Sequence, residues 1–101
     1  MKVLFVRSGG VTGIRLATEV DAARLSEDGA RRLARLVKES GILALPSGAP
    51  PGTADPDRFA YRLTVETADR EHTVEVAEQD VTPRLAPLID WLVARARDRT
   101  A

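Results

Sequence analysis

Apolar and polar positions alternate with a period of two in four stretches of this chain and recur with a helical period in two others. Leu4 and Val6 fall on one face of an extended segment and Val3 and Phe5 on the other. That pattern predicts a first strand over Lys2–Ser8, covered on both faces near its middle. Ile14, Leu16, Thr18 and Val20 then alternate with Arg15, Ala17 and Glu19, as in a strand with one wet face. Only Gly9 to Gly13 separate the two, so an antiparallel hairpin is the predicted connection. Phe59, Tyr61, Leu63 and Val65 alternate with Arg58, Ala60, Arg62, Thr64 and Glu66, the clearest strand in the chain. Ala68-Asp69-Arg70-Glu71 reads as a tight turn, after which Val74 and Val76 continue a strand whose Thr73 and Glu75 face water.

The helical stretches carry their own boundaries. After a link over Asp21–Leu25, Ser26 is placed to cap a helix, with Glu27 and Asp28 at the positive end of its dipole. Ala30, Leu33, Ala34, Leu36 and Val37 recur at helical spacing, and Gly41 fits a left-handed terminator. Ile42, Leu43 and Leu45 form a brief apolar run that packs under the sheet edge or the helix end. From Pro46 to Asp57, four prolines and two glycines in twelve positions exclude a regular element and predict a long surface loop. Near the end of the chain, Leu85, Leu88, Ile89, Leu92 and Ala96 make one buried stripe. Asp80 and Thr82 are candidate caps and Pro83 suits a first helical position. Pro87, however, lacks the amide that would bond the carbonyl of residue 83, which moves the regular start to around Ala86. Trp91 lies at the border of the stripe and is read as part of the core.

Strand, strand, helix, loop, strand, strand, helix predicts an α+β fold. Two β-hairpins, each followed by a helix, make a four-stranded antiparallel sheet with the helices packed on one face. The 101 residues, 44% of them hydrophobic, suit a single domain over residues 1–101, because the part after the long loop is too short to bury a separate core.

Charge and chemistry narrow the function classes. The 15 basic and 15 acidic residues cancel, so the field that draws nucleic acid or an anionic membrane is missing. The basic face of the first helix, with Arg31, Arg32, Arg35 and Lys38, is shared with Glu27, Asp28 and Glu39 and reads as solvated surface. There is no cysteine, hence no disulfide and no thiolate metal site. The apolar run at the N-terminus turns to glycine too soon for a signal peptide or a membrane span, and a cytoplasmic, monomeric protein is expected. His72 is the sole histidine and sits beside a turn, where a structural role is expected. Ser8 is no nucleophile elbow, and the glycines lack the lysine and following helix of a phosphate loop. Asp55 and Asp57 lie outside any Ca²⁺-loop pattern. Neither catalysis, a metal nor a cofactor is expected.

What remains is binding by shape. Ser8, Gly9, Gly10, Val11, Thr12 and Gly13 form a hairpin tip whose glycines let another backbone approach closely. The same glycines also suit an ordinary bulged turn, and on the residues alone that simpler reading is favoured.

The segment Val3 to Ile14 with its Arg-Ser-Gly-Gly-x-x-Gly core, the strand Asp57-Arg58-Phe59-Ala60-Tyr61, and Leu85-Ala86-Pro87-Leu88-Ile89-Asp90-Trp91-Leu92 resemble the emfourin family. Those proteins are small inhibitors associated with protealysin and other thermolysin-like zinc metalloproteases. The resemblance covers nearly the whole chain apart from the long loop. It implies a reversible protease inhibitor that blocks the active-site cleft with Ser8–Gly13, with Pro46–Asp57 as a second contact. A non-inhibitory interaction module using the same loops is the alternative. Relatives often carry an aromatic and then a small residue after Gly-Gly, where this chain has Val11-Thr12. A smaller apolar contact at the tip is the implied consequence.

Overall fold

The computed structural model describes residues 1–9, 15–45 and 59–100. Strands β1 (Lys2–Gly9), β2 (Leu16–Asp21), β3 (Phe59–Glu66) and β4 (Glu71–Ala77) form one sheet in the order β2-β1-β3-β4. All three pairings are antiparallel. Helix α1 (Glu27–Ser40) follows the first hairpin and α2 (Ala86–Thr100) the second. The architecture is the α+β fold expected from the pattern.

Register explains which side chains are buried. Val3 lies opposite Val20 on β2 and Val65 on β3, and Phe5 lies between Thr18 and Leu63. Leu63 in turn faces Val74 on β4. Because side chains alternate along each strand, this row shares one face. On it pack Leu33 and Val37 of α1 and Leu88, Ile89 and Leu92 of α2, together with Leu85 just before α2, so that both helices cover the same side. Phe5, Leu33, Leu63, Leu88 and Leu92 are fully buried, and each contributes about 1.5–3 kcal/mol of apolar transfer free energy. Trp91 packs against this core while remaining half-buried.

The expectation that β1 is covered on both faces needs correction. Leu4 and Val6 are half-buried and lie on the face opposite the helices. Their neighbours there carry ion pairs, Lys2–Glu19 at 3.0 Å and Arg62–Glu75 at 3.2 Å, and a Thr64–Thr73 hydroxyl bond of 2.9 Å. The apolar pair on this side follows from the central place of β1, whose two neighbouring strands shield it laterally.

Helix boundaries obey local chemistry. Ser26 Oγ accepts the Gly29 N–H at 3.1 Å, and Gly41 takes φ 70° just beyond the last turn of α1. Arg84 Nε donates to the Glu39 carbonyl at 3.2 Å, supplying a donor to that helix end. Before α2, the Thr82 carbonyl accepts from Leu85 and Ala86, and its Oγ1 accepts from Leu85 at 3.2 Å. Pro83 and Pro87 are thereby accommodated in a turn and a first helical turn that need no amide from either. Asp80 is not that cap; it belongs to a separate 3-10 turn, Glu78–Asp80. The link after β2 is likewise ordered, with Asp21 Oδ1 accepting from Ala23 N–H at 3.0 Å to start the 3-10 turn Ala22–Arg24. Ile42 is fully buried in a third such turn, Ile42–Ala44. The proline-rich stretch from Pro46 to Asp57 lies outside the described residues. Among the described residues no helix is long and apolar enough to cross a membrane.

Candidate functional site

The two connections richest in glycine and proline meet the sheet at one end. Strand β1 outruns its hairpin partner there. Arg7 still pairs with Leu16 of β2, but Ser8 and Gly9 pair only with Ala60 and Phe59 of β3. Gly9 has φ 87°, in the left-handed region where a Cβ would clash with the backbone, so glycine suits the point at which the chain leaves the sheet. Phe59, where the chain returns from the proline-rich stretch, sits directly across from it.

Of the six residues expected at the contact, Ser8 and Gly9 are therefore placed at the tip of the central strand, Ser8 exposed and Gly9 half-buried. Gly10, Val11, Thr12 and Gly13 lie outside the described residues.

Behind this exit stands an aromatic and cationic base. The Arg7 guanidinium lies over the Phe59 ring, 4.2 Å from its centroid, an arrangement in which the ring's negative face attracts the cation. Tyr61 follows Phe59 on the same face of β3 and stacks on Phe5 with centroids 6.0 Å apart, linking the site to the core. Burial pushes the Tyr61 hydroxyl above its ordinary ionisation range, the negative charges of Glu78 and Asp90 add to this, and the Arg7 charge opposes it. Glu78 Oε1 also accepts the Phe59 N–H at 3.4 Å. The positions of Arg7 and Phe59 are the part of this site that sequence reasoning missed. The signal was present, since Arg7 continues the every-other-residue phase of Val3 and Phe5.

Among the described residues there is no group of three or more His, Asp or Glu arranged to hold a metal. His72 makes a structural contact, its Nε2 lying 2.7 Å from the Leu45 carbonyl, and so ties the start of the proline-rich connection to β4. At the opposite end of the sheet a cleft of about 480 Å³ is lined by Lys2, Glu19, Asp21, Arg24 and Arg95 among others, a mixture of signs that favours no single ligand charge.

The family model for Emfourin matches residues 5–93, from the middle of β1 to the middle of α2 and through the whole of the glycine segment. The chain belongs to the emfourin family. Among solved structures, this emfourin-family chain is similar to emfourin (M4in) from Serratia proteamaculans, described as an M4 family peptidase inhibitor. The identity is 20%, over 92% of this chain and 87% of that one, with a TM-score of 0.48. No curated protein matches this emfourin-family chain significantly.

Proposed function

We propose that this emfourin-family protein is a reversible inhibitor of a thermolysin-like (M4, protealysin-type) zinc metallopeptidase. In this reading residues 1–101 act as one monomeric domain. Ser8 to Gly13 enters the active-site cleft and blocks it by complementarity of shape, and Pro46–Asp57 provides a second contact. The observation that carries the reading is the family membership over residues 5–93. The geometry at the sheet end supports it, because the end of β1 from which the glycine segment departs is braced by Arg7, Phe59 and Tyr61.

The tip residues favour steric blockage over capture of the peptidase's zinc. Ser8-Gly9-Gly10-Val11-Thr12-Gly13 contains no histidine, cysteine or carboxylate, the side chains that ordinarily ligate zinc. Val11 is the one larger apolar side chain among them, and an apolar pocket beside the scissile bond is its natural receptor.

Hydrolysis of a peptide substrate by several M4 peptidases, with any encoded near this gene among them, tests the reading. Activity should fall with inhibitor concentration and return on dilution. Full activity of every such enzyme in the presence of micromolar protein overturns it.

A further inference from the structure

We infer that Arg7 is a second anchor of the contact surface, one that takes a carboxylate of the peptidase beside the glycine loop. This rests on the inhibitor reading above and adds to it a residue and the chemistry of its partner.

Arg7 is unlike the other cations of the sheet. Lys2 is paired with Glu19 and Arg62 with Glu75, both across neighbouring strands. Arg7 has no ion pair and no hydrogen bond among the described residues, and its Nε is buried without a partner. Two carboxylates act on the same neighbourhood, Glu78 and Asp90, since both influence Tyr61. Neither pairs with Arg7 among the described residues, and Glu78 Oε1 is engaged by the Phe59 N–H.

The contact Arg7 does make orients it without using its donors. Its guanidinium carbon lies 4.2 Å from the Phe59 ring centroid, a contact with the ring's π face that consumes no hydrogen-bond acceptor, and its donors make no hydrogen bond among the described residues. A planar, always-charged fork of this kind matches a carboxylate through two parallel hydrogen bonds, which an ammonium does not reproduce. Its position fits the same partner as the loop. Arg7 stands two residues before Gly9, where the chain leaves the sheet, and is half-buried, so a partner seated against Ser8 and Gly9 at this end of the sheet comes within its reach. Carboxylate is favoured over a neutral carbonyl because Glu78 and Asp90, the carboxylates acting on this neighbourhood, form no ion pair with Arg7 among the described residues, and a peptidase carboxylate supplies that partner.

The test uses full-length protein and an M4 peptidase that the wild type inhibits. Inhibition constants and association rates are measured across a range of ionic strength for wild type, Arg7→Lys and Arg7→Gln, with the thermal midpoint of each. Arg7→Gln is expected to weaken inhibition by about tenfold or more and to flatten the salt dependence of association. Arg7→Lys should keep the salt dependence while weakening inhibition several-fold, because it retains the charge and loses the fork. Inhibition by both variants equal to wild type overturns the assignment and leaves the inhibitor reading intact. So does weaker inhibition with an unchanged salt slope in Arg7→Gln, which would mark Arg7 as a support of the loop alone. If Arg7→Gln fails to fold, Arg7→Lys decides: wild-type inhibition by that variant overturns the fork. A wild-type protein that inhibits no M4 peptidase overturns the parent reading and this one together.

Discussion

Thr18 and Arg7 each place a polar group on the face of the sheet that the helices cover. Thr18 sits opposite Phe5, is 8% exposed, and its hydroxyl has no hydrogen-bond partner among the described residues. Burying a hydroxyl without a partner costs about 1–3 kcal/mol, whereas valine has nearly the same shape and no such cost. Thr18→Val should therefore stabilise the protein by about 1 kcal/mol, seen as a higher midpoint in urea denaturation with an unchanged slope. A lower midpoint would show that the hydroxyl is bonded in solution. Arg7 shows how far single residues were legible. Its phase with Val3 and Phe5 is visible in the sequence, but its stacking partner Phe59 is supplied by a strand far along the chain. No local pattern announces that partner, because it depends on β1 pairing with β3. His72 was legible as structural from its place beside a turn, and its bond to the Leu45 carbonyl accords with that.

At the scale of elements, helix ends follow from signals that act within a few residues, whereas strand order depends on contacts across the sheet that no local pattern carries. Ser26, Glu27, Asp28 and Gly41 mark the ends of α1 because capping and left-handed termination are local requirements, and α1 indeed spans Glu27–Ser40. Pro83 and Pro87 similarly set the start of α2 at Ala86. The strand order β2-β1-β3-β4 has no such signal. Apolar residues on both faces of β1 suggest two covered faces, whereas they reflect a central position in a sheet covered on one. The terminator of α1 offers a direct check. Gly41 has φ 70°, and an added Cβ would meet the Arg84 guanidinium at 3.6 Å, ordinary contact, so backbone strain is the dominant effect. Gly41→Ala should destabilise the protein by about 1 kcal/mol, measured as a lower thermal midpoint. An unchanged midpoint would mean that the helix end adopts another conformation.

At the scale of the molecule, the helices, their caps and the one-sided core form a platform for the end of the sheet where β1 leaves and β3 begins. Net charge is zero, so in the inhibitor reading proposed above recognition rests on local contacts at that end, charged ones such as Arg7 included, and not on a net field. The fold class was legible because two hairpin-then-helix units leave few alternatives for an antiparallel sheet. The candidate site was legible through its glycines and family resemblance, while its aromatic and cationic base emerged only with the pairing of β1 and β3. The central claim is that the Ser8–Gly13 loop at this end occupies the cleft of an M4 peptidase. Its most direct test is the inhibition constant of Val11→Asp beside that of the wild type, with thermal midpoints measured in parallel. A carboxylate forced into an apolar pocket should raise the constant by about tenfold or more while leaving the midpoint within a degree or so of wild type. An unchanged inhibition constant would contradict the claim and place the contact elsewhere on the molecule.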